Sequence, residues 1–367
     1  MTEEKIHNSR RQRILQWDIP IGSVSLEQKA LFVKHLAVMM KSGLTISEIL
    51  HVEEETTSGR LRGALRKVRK SVEAGHSLSD AFKLFPKIFP QLLVSAVYTG
   101  ESSGTLSDNL EHVALQLQKE KELVSKIRGA MLYPVIVLAA AVILGLGLAL
   151  FVLPKITTIF SGLDITLPFT TRMLIAFSNF MESYGLEFVV ASVAFVFFII
   201  WVLRSRMMQP ITHWVLLRMP VVQRISKGAN AARFCRTLGT LIGSGVTIEE
   251  SLDIIGKTMS NYHYRRSIGS VNKRVIGGAR LSVSLEDFPG LYPRIIVSMI
   301  RVGEESGRLD EVCSYLGEFF EEEVDAATKS LSAVIEPVLL IIIGLVVGFL
   351  ALSVITPIYE ITGSIGR

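Results

Sequence analysis

Residues 100–153 read GESSGTLSDNLEHVALQLQKEKELVSKIRGAMLYPVIVLAAAVILGLGLALFVL, and residues 303–356 read GEESGRLDEVCSYLGEFFEEEVDAATKSLSAVIEPVLLIIIGLVVGFLALSVIT. Each stretch opens on Gly-Glu-x-x-Gly and continues with apolar residues at helical spacing. It then meets a proline, Pro134 or Pro337, and ends in a run long enough to cross a bilayer. Upstream the same correspondence holds at an offset of 202: Phe32, Leu36, Gly43, Thr45, Ile46 and Leu50 return as Phe234, Leu238, Gly245, Thr247, Ile248 and Leu252. From Gly75 and Leu78, which return as Gly278 and Leu281, the offset is 203. A repeat this long means two copies of a domain, not a solenoid of short units.

The composition suits soluble domains joined to a few spans: 49% of the 367 residues are hydrophobic, 20% are charged, and the mean hydropathy is +0.42. Residues 135–153 and 338–355 carry no charge, and 188–203 is apolar with one Ser and a Trp. Three spans follow, at 133–153, 186–203 and 337–356. The first 25 residues are polar and basic without the apolar core of a signal peptide, and they match no pattern. Cys235 and Cys313 have no CxxC partner and read as reduced structural thiols in a cytosolic setting.

Positive charge sets the expected topology. Near the spans it concentrates at Lys119, Lys121, Lys126, Arg128, Arg204, Arg206, Arg218 and Lys329, against Lys155, Arg172 and Arg367 on the other side. The positive-inside rule puts the N-terminus, 26–132 and 204–336 in the cytoplasm, with the 154–185 loop and the 357–367 tail outside. Both repeats then face one compartment.

The expected fold is all-α: two homologous cytosolic helical bundles of about six helices each, plus three transmembrane helices. In the first repeat a helix through Phe32, Leu36 and Met39 ends at Ser42-Gly43, and Thr45-Ile46-Ser47-Glu48 has the form of a capping box. Thr247-Ile248-Glu249-Glu250 repeats it. Helices near 60–73, 77–84 and 90–99 precede a long one from Thr105. The prolines at 134 and 337 are expected to kink helices where bundle meets bilayer, with Glu336 at the membrane edge. Gly344-xxx-Gly348 and the small face of Ala141, Gly145 and Ala149 suit close helix packing.

Catalytic chemistry is missing from the pattern. Gly256-Lys257-Thr258 resembles the end of a phosphate loop, but its first glycine position is Ser251 and the stretch reads as helix. No GxSxG, no HExxH and no Cys/His metal spacing occurs, so neither enzyme, cofactor nor metal is expected. Nucleic acid is disfavoured, because residues 1–132 carry 19 basic against 15 acidic side chains. Arg62, Arg66, Arg69 and Lys70 share a helix face; it reads either as solvated or as a contact for anionic lipid or an acidic partner. The acidic block Glu318, Glu321, Glu322, Glu323 and Asp325 reads as a solvated charged face. In the turns Gly100-Glu101-Ser102-Ser103-Gly104 and Gly303-Glu304-Glu305-Ser306-Gly307, the glycines free the backbone. The Glu can accept N–H groups at the next helix start. The same turns could also form a docking surface presented twice.

These features, with Tyr133-Pro134, Glu336-Pro337 and the segment Leu167-Pro168-Phe169-Thr170-Thr171-Arg172, resemble the type II secretion F / type IV pilus platform family over residues 26–360. The resemblance implies a multi-pass inner-membrane platform that couples a cytosolic hexameric ATPase to extraction of pilins or pseudopilins into a filament. It implies contacts with other inner-membrane platform proteins and a homo-oligomer. The ATPase contacts it suggests are Arg62, Arg66, Arg69 and Lys70 with the Glu101 and Glu304 turns. A small transporter or channel component is the other class compatible with three spans, but no span carries a mid-membrane ionisable residue.

Overall fold

Helix ends in this chain are written by short polar caps. In the computed structural model, which describes residues 24–152, 169–205 and 207–365, Ser25 accepts the Gln28 N–H and Gln28 returns the bond to the Ser25 N–H. That box opens α1, Leu26–Lys41. Gly43, at φ 84°, turns the chain, and Thr45 with Glu48 closes a second box at the start of α2, Ile46–Thr56. The two bonds from Thr45 hold the Glu48 carboxyl below its ordinary range. Then follow α3 Gly59–Glu73, α4 Leu78–Lys83, α5 Gln91–Ser103 and the long α6 Leu106–Gly147, continued by a π-helical turn at Leu148–Val152.

After the first repeat come α7, Phe169–Arg204, and the short α8, Gln209–Arg218, where the Arg218 guanidinium lies 4.3 Å from the Trp214 ring centre. The second repeat repeats the first six elements: α9 Pro220–Gly243, α10 Ile248–Thr258, α11 Tyr262–Ile276, α12 Leu281–Leu285, α13 Arg294–Ser306 and α14 Leu309–Ile365. The described residues contain fourteen α-helices and no strand. The change of offset from 202 to 203 falls in one link: Thr57-Ser58 joins α2 to α3, whereas Met259-Ser260-Asn261 joins α10 to α11.

Each repeat has an aromatic centre at equivalent positions. Phe82 stacks on Phe89 at 4.2 Å, with Phe32 at 5.7 Å from Phe89. In the second repeat Tyr292 takes the place of Phe89, 5.4 Å from Phe234 and 5.5 Å from Tyr264. Both buried hydroxyls find partners, as buried polar groups must: Tyr264 donates to the Leu291 carbonyl at 2.6 Å, and Tyr292 shares a bond with Ser267 at 2.9 Å.

The chain divides into two units. One takes in both repeats, up to Ser125 and from Gln223 to Val324; the other holds Lys126–Val222 and the chain from Asp325 on. Within the first unit the repeats pack directly on one another. The Asn109 amide donates to the Ser244 carbonyl at 3.3 Å, Gln116 donates to Thr237 at 3.1 Å, and Arg233 pairs with Glu120 at 3.1 Å.

Three helices are long and apolar enough to cross a membrane: Leu106–Gly147, Ile175–Arg204 and Leu309–Phe349. Their apolar windows are almost wholly uncovered by the rest of the chain. Helix α7 starts at Phe169, inside the stretch read as the loop 154–185, because Phe169, Met173, Phe177 and Phe180 extend its apolar spacing toward the N-terminus. Helix α6 continues through Pro134 and α14 through Pro337. Lys155, Leu167, Pro168, Arg206, Arg367 and all but the last two positions of the N-terminal segment 1–25 lie outside the described residues.

Candidate functional site

The twice-repeated Gly-Glu-x-x-Gly is the end of a helix, and each of its residues has a defined task. Gly104 and Gly307 adopt φ of 75° and 71°, the left-handed caps of α5 and α13. Gly100 and Gly303 are not part of the turn. They sit inside those helices and are buried, and a Cβ on Gly100 would lie 2.7 Å from the Leu106 Cα; on Gly303 it would lie 3.1 Å from the Leu309 Cα. Glycine at these two places lets the start of the next helix cross at backbone contact.

Glu101 does not reach the next helix start either. Its Oε1 accepts the Leu78 N–H at 2.6 Å and its Oε2 the Ser79 N–H at 3.2 Å, so it caps α4, which precedes α5. Glu304 does the same for α12 through Leu281 N–H at 2.6 Å and Ser282 N–H at 3.0 Å. A carboxylate at a helix N-terminus satisfies orphan donors and the positive end of the dipole. In α4 it has help, because Ser77 also accepts the Asp80 N–H. In α12 the equivalent cap position is Arg280, which makes no side-chain cap and donates instead to Glu305 at 3.1 Å. Beside Glu304 opens a groove of ≈ 430 Å³, walled by Ile242, Ile248 and Leu309, with Arg280 and Glu305 also lining it.

The basic face of α3 is partly neutralised from within. Arg66 Nε donates to Glu54 at 2.7 Å and Arg69 Nε donates to the other oxygen at 3.0 Å, while Arg69 also pairs with Glu73. The Arg66 hydrogen bond is the largest cause; with the Arg69 bond and the charge of both guanidinium groups it outweighs burial and holds the Glu54 carboxyl below its ordinary range. Arg62 keeps its Nε buried without a partner. Lys67 and Lys70 remain as exposed charges. Glu54 was not a sequence candidate; it lies twelve residues before Arg66, a spacing with no local signature.

The acidic block divides likewise. Glu321 pairs with the buried Arg236 at 2.5 Å and Asp325 with Lys329 at 2.8 Å, which leaves Glu318, Glu322 and Glu323 exposed. Gly145, Gly344 and Gly348 have nothing within 4 Å of an added Cβ, so their small faces are open in a single chain. Among the described residues no three His, Cys, Asp or Glu side chains converge as a metal would need. Cys235 and Cys313 are buried and unbridged, and burial pushes the Cys235 thiol well above its usual range.

Residues 32–154 and 234–357, the two repeats with their apolar runs, each match the family described as "Type II secretion system (T2SS), protein F". The chain belongs to this family. Among its relatives the chain is 36% identical over 341 residues to the "Type IV pilus assembly protein PilC" of Thermus thermophilus, covering 93% of this chain and 84% of that protein. It is 34% identical over 342 residues to the "Type II secretion system protein F" of Aeromonas hydrophila, covering 93% and 88%. A PilC of Myxococcus xanthus is 32% identical over 360 residues, 97% and 86%. The secretion F family is not a known enzyme family, and its two domain copies coincide with the two six-helix repeats seen here.

Proposed function

We propose that this protein is an inner-membrane platform of a type IV pilus or type II secretion machine, coupling a cytosolic assembly ATPase to the extraction of pilin or pseudopilin subunits. The observation that carries the reading is the construction of α6 and α14. Each begins at the Gly-Glu-x-x-Gly helix end within the paired repeats and runs as one helix into an apolar run. A force applied to the paired repeats is delivered to two spans through helices, which are stiff, and not through loops. The relatives' names span type IV pilus assembly and type II secretion, which supports a role in one of these two machines.

In this reading the repeats face the cytoplasm, residues 154–185 and the C-terminal tail face outward, and the chain performs no catalysis of its own. Lys67 and Lys70 on α3, beside the Arg62–Arg69 face, form the surface offered to an acidic patch on the ATPase. The test is co-purification of the ATPase with wild type and with a Lys67→Glu/Lys70→Glu double variant, which leaves the Glu54 pairs intact. The reading expects retention by wild type, loss by the variant and a parallel loss of filaments. Retention by both removes this face from the mechanism; retention by neither, with filaments unaffected by deleting the gene, removes the platform role.

A further inference from the structure

Between Glu187 and Glu249 the chain carries seven basic residues and no acidic one. Within that stretch lies α8, which belongs to neither repeat and shares a unit with α7. Helix α7 ends at Arg204, directly after the apolar run 186–203, and α8 begins five residues later at Gln209. Five residues of chain reach at most about 18 Å. The connection is not slack. The Ser205 N–H donates to the Val202 carbonyl at 3.0 Å, and the Ser205 carbonyl accepts the N–H groups of Met208 at 3.1 Å and Gln209 at 3.2 Å. Helix α8 is therefore held beside the end of a span.

Its surface does not suit water. Ile211, Trp214, Val215 and Arg218 share one face at helical spacing, and all four are exposed. Met207, one turn earlier, is 90% exposed, Ile211 56% and Trp214 46%. Of the ten residues of α8 only Leu217 is buried. Thr212 donates its hydroxyl to the Met208 carbonyl at 3.0 Å, within the helix, and so presents little polar surface. The face ends in charge, with the Arg218 guanidinium 4.3 Å from the Trp214 ring centre. Arg233 and Arg236 of the same stretch pair with Glu120 and Glu321, whereas Arg204 and Arg218 form no ion pair among the described residues. An uncovered apolar face marks an interaction surface. Here its direct continuity with a span names the bilayer as what covers it. At that boundary an indole sits at headgroup level, and an unpaired guanidinium has phosphates within reach.

We propose that α8 lies in the membrane surface, with Met207, Ile211, Trp214 and Val215 at the level where acyl chains meet headgroups and Arg218 binding the phosphate of an anionic phospholipid. Bound in this way, α8 fixes the point at which the chain leaves the bilayer for the second repeat. The proposal rests on the membrane placement of α7 and not on coupling to an ATPase.

The test reconstitutes the full-length protein in vesicles of phosphatidylcholine and phosphatidylglycerol, with bromine on the acyl chains of one lipid or the other. A fluorophore sits on Ile211→Cys or, as a reference inside the second span, on Val193→Cys; both positions are exposed and both native cysteines are buried. The proposal expects quenching at both sites. At 211 phosphatidylglycerol is preferred about fivefold, the factor for one basic residue at an anionic surface. At 193 there is no preference. Arg218→Gln in the 211-labelled protein removes most of the preference, Arg218→Lys retains it, and inorganic phosphate at matched ionic strength leaves it in place. Quenching at 193 without quenching at 211 assigns the face to a protein and overturns the proposal, while the platform reading stands. Equal quenching by the two lipids at 211, a preference unchanged by Arg218→Gln or lost equally in Arg218→Lys, or one abolished by inorganic phosphate also overturns it. Absence of quenching at 193 overturns the membrane placement itself.

Discussion

Glu304 and Leu281 stand 23 residues apart, yet the carboxylate accepts the Leu281 N–H at 2.6 Å and so pins the start of α12 to the end of α13. Glu101 and Leu78 make the same bond in the first repeat. The most distinctive local motif in the chain is therefore an internal clamp. Glu304→Ala leaves two part-buried donors unmet on a helix whose N-cap residue, Arg280, offers no side-chain acceptor. A loss of about 2–3 kcal/mol is expected. Glu101→Ala costs about 1–2 kcal/mol, because Ser77 continues to cap α4. Thermal unfolding of the two variants in detergent checks both the size and the order.

The inner glycines of the same motif give a second ranking. Gly100→Ala forces a Cβ to 2.7 Å from the backbone of Leu106, which cannot move cheaply, and about 2–3 kcal/mol of stability is lost. Gly303→Ala meets its neighbours at 3.1–3.2 Å and costs about 1 kcal/mol. Gly145→Ala has open space and leaves the unfolding temperature of a single chain unchanged. Differential scanning of the three in parallel reads out the order.

Much of this was legible from local pattern. The Thr45-x-x-Glu48 box is written within four residues and the cap at Gly43 within one, so the six helices of each repeat followed the sequence, whereas α5 runs on to Ser103 and α7 starts as early as Phe169. The partners of Glu101 were not, because α4 lies upstream and only the packing of α5 beside it brings Leu78 within reach. The two glycines of Gly-Glu-x-x-Gly looked alike in sequence; burial separates one as a packing residue from one as a turn. The α3 basic face looked like four free charges because Glu54, which binds Arg66 and Arg69, belongs to the preceding helix. The seam between repeats carries Asn109, Gln116, Thr237 and Ser244, polar residues that a hydrophobic pattern never marks as interface.

Acid should expose the Glu54 pairs. Its carboxyl is held below the ordinary glutamate range, the Arg66 hydrogen bond being the largest cause. The folded state therefore binds fewer protons than the unfolded one, and the stabilisation is present above that range and lost as pH falls through the folded value. The unfolding-temperature gap between wild type and Glu54→Gln is expected to be constant near neutrality and to shrink below about pH 4.5. Glu53 acts in the opposite sense: burial raises its pKa against the His35 hydrogen bond, so its contribution is lost as pH rises. A gap that widens on acidification would remove Arg66 and Arg69 as the partners that matter.

The account as a whole needs both repeats on one side of the bilayer, packed as a single body that an ATPase can push. Reaction of single cysteines with a membrane-impermeant maleimide in intact cells tests this most directly, at Lys70→Cys and Ile276→Cys, one exposed site in each repeat, and at Glu182→Cys, exposed on α7 ahead of the apolar run 186–203. The expected result is labelling at 182 in intact cells, with 70 and 276 reacting together only after permeabilisation. Labelling of 70 or 276 without the other would contradict the account.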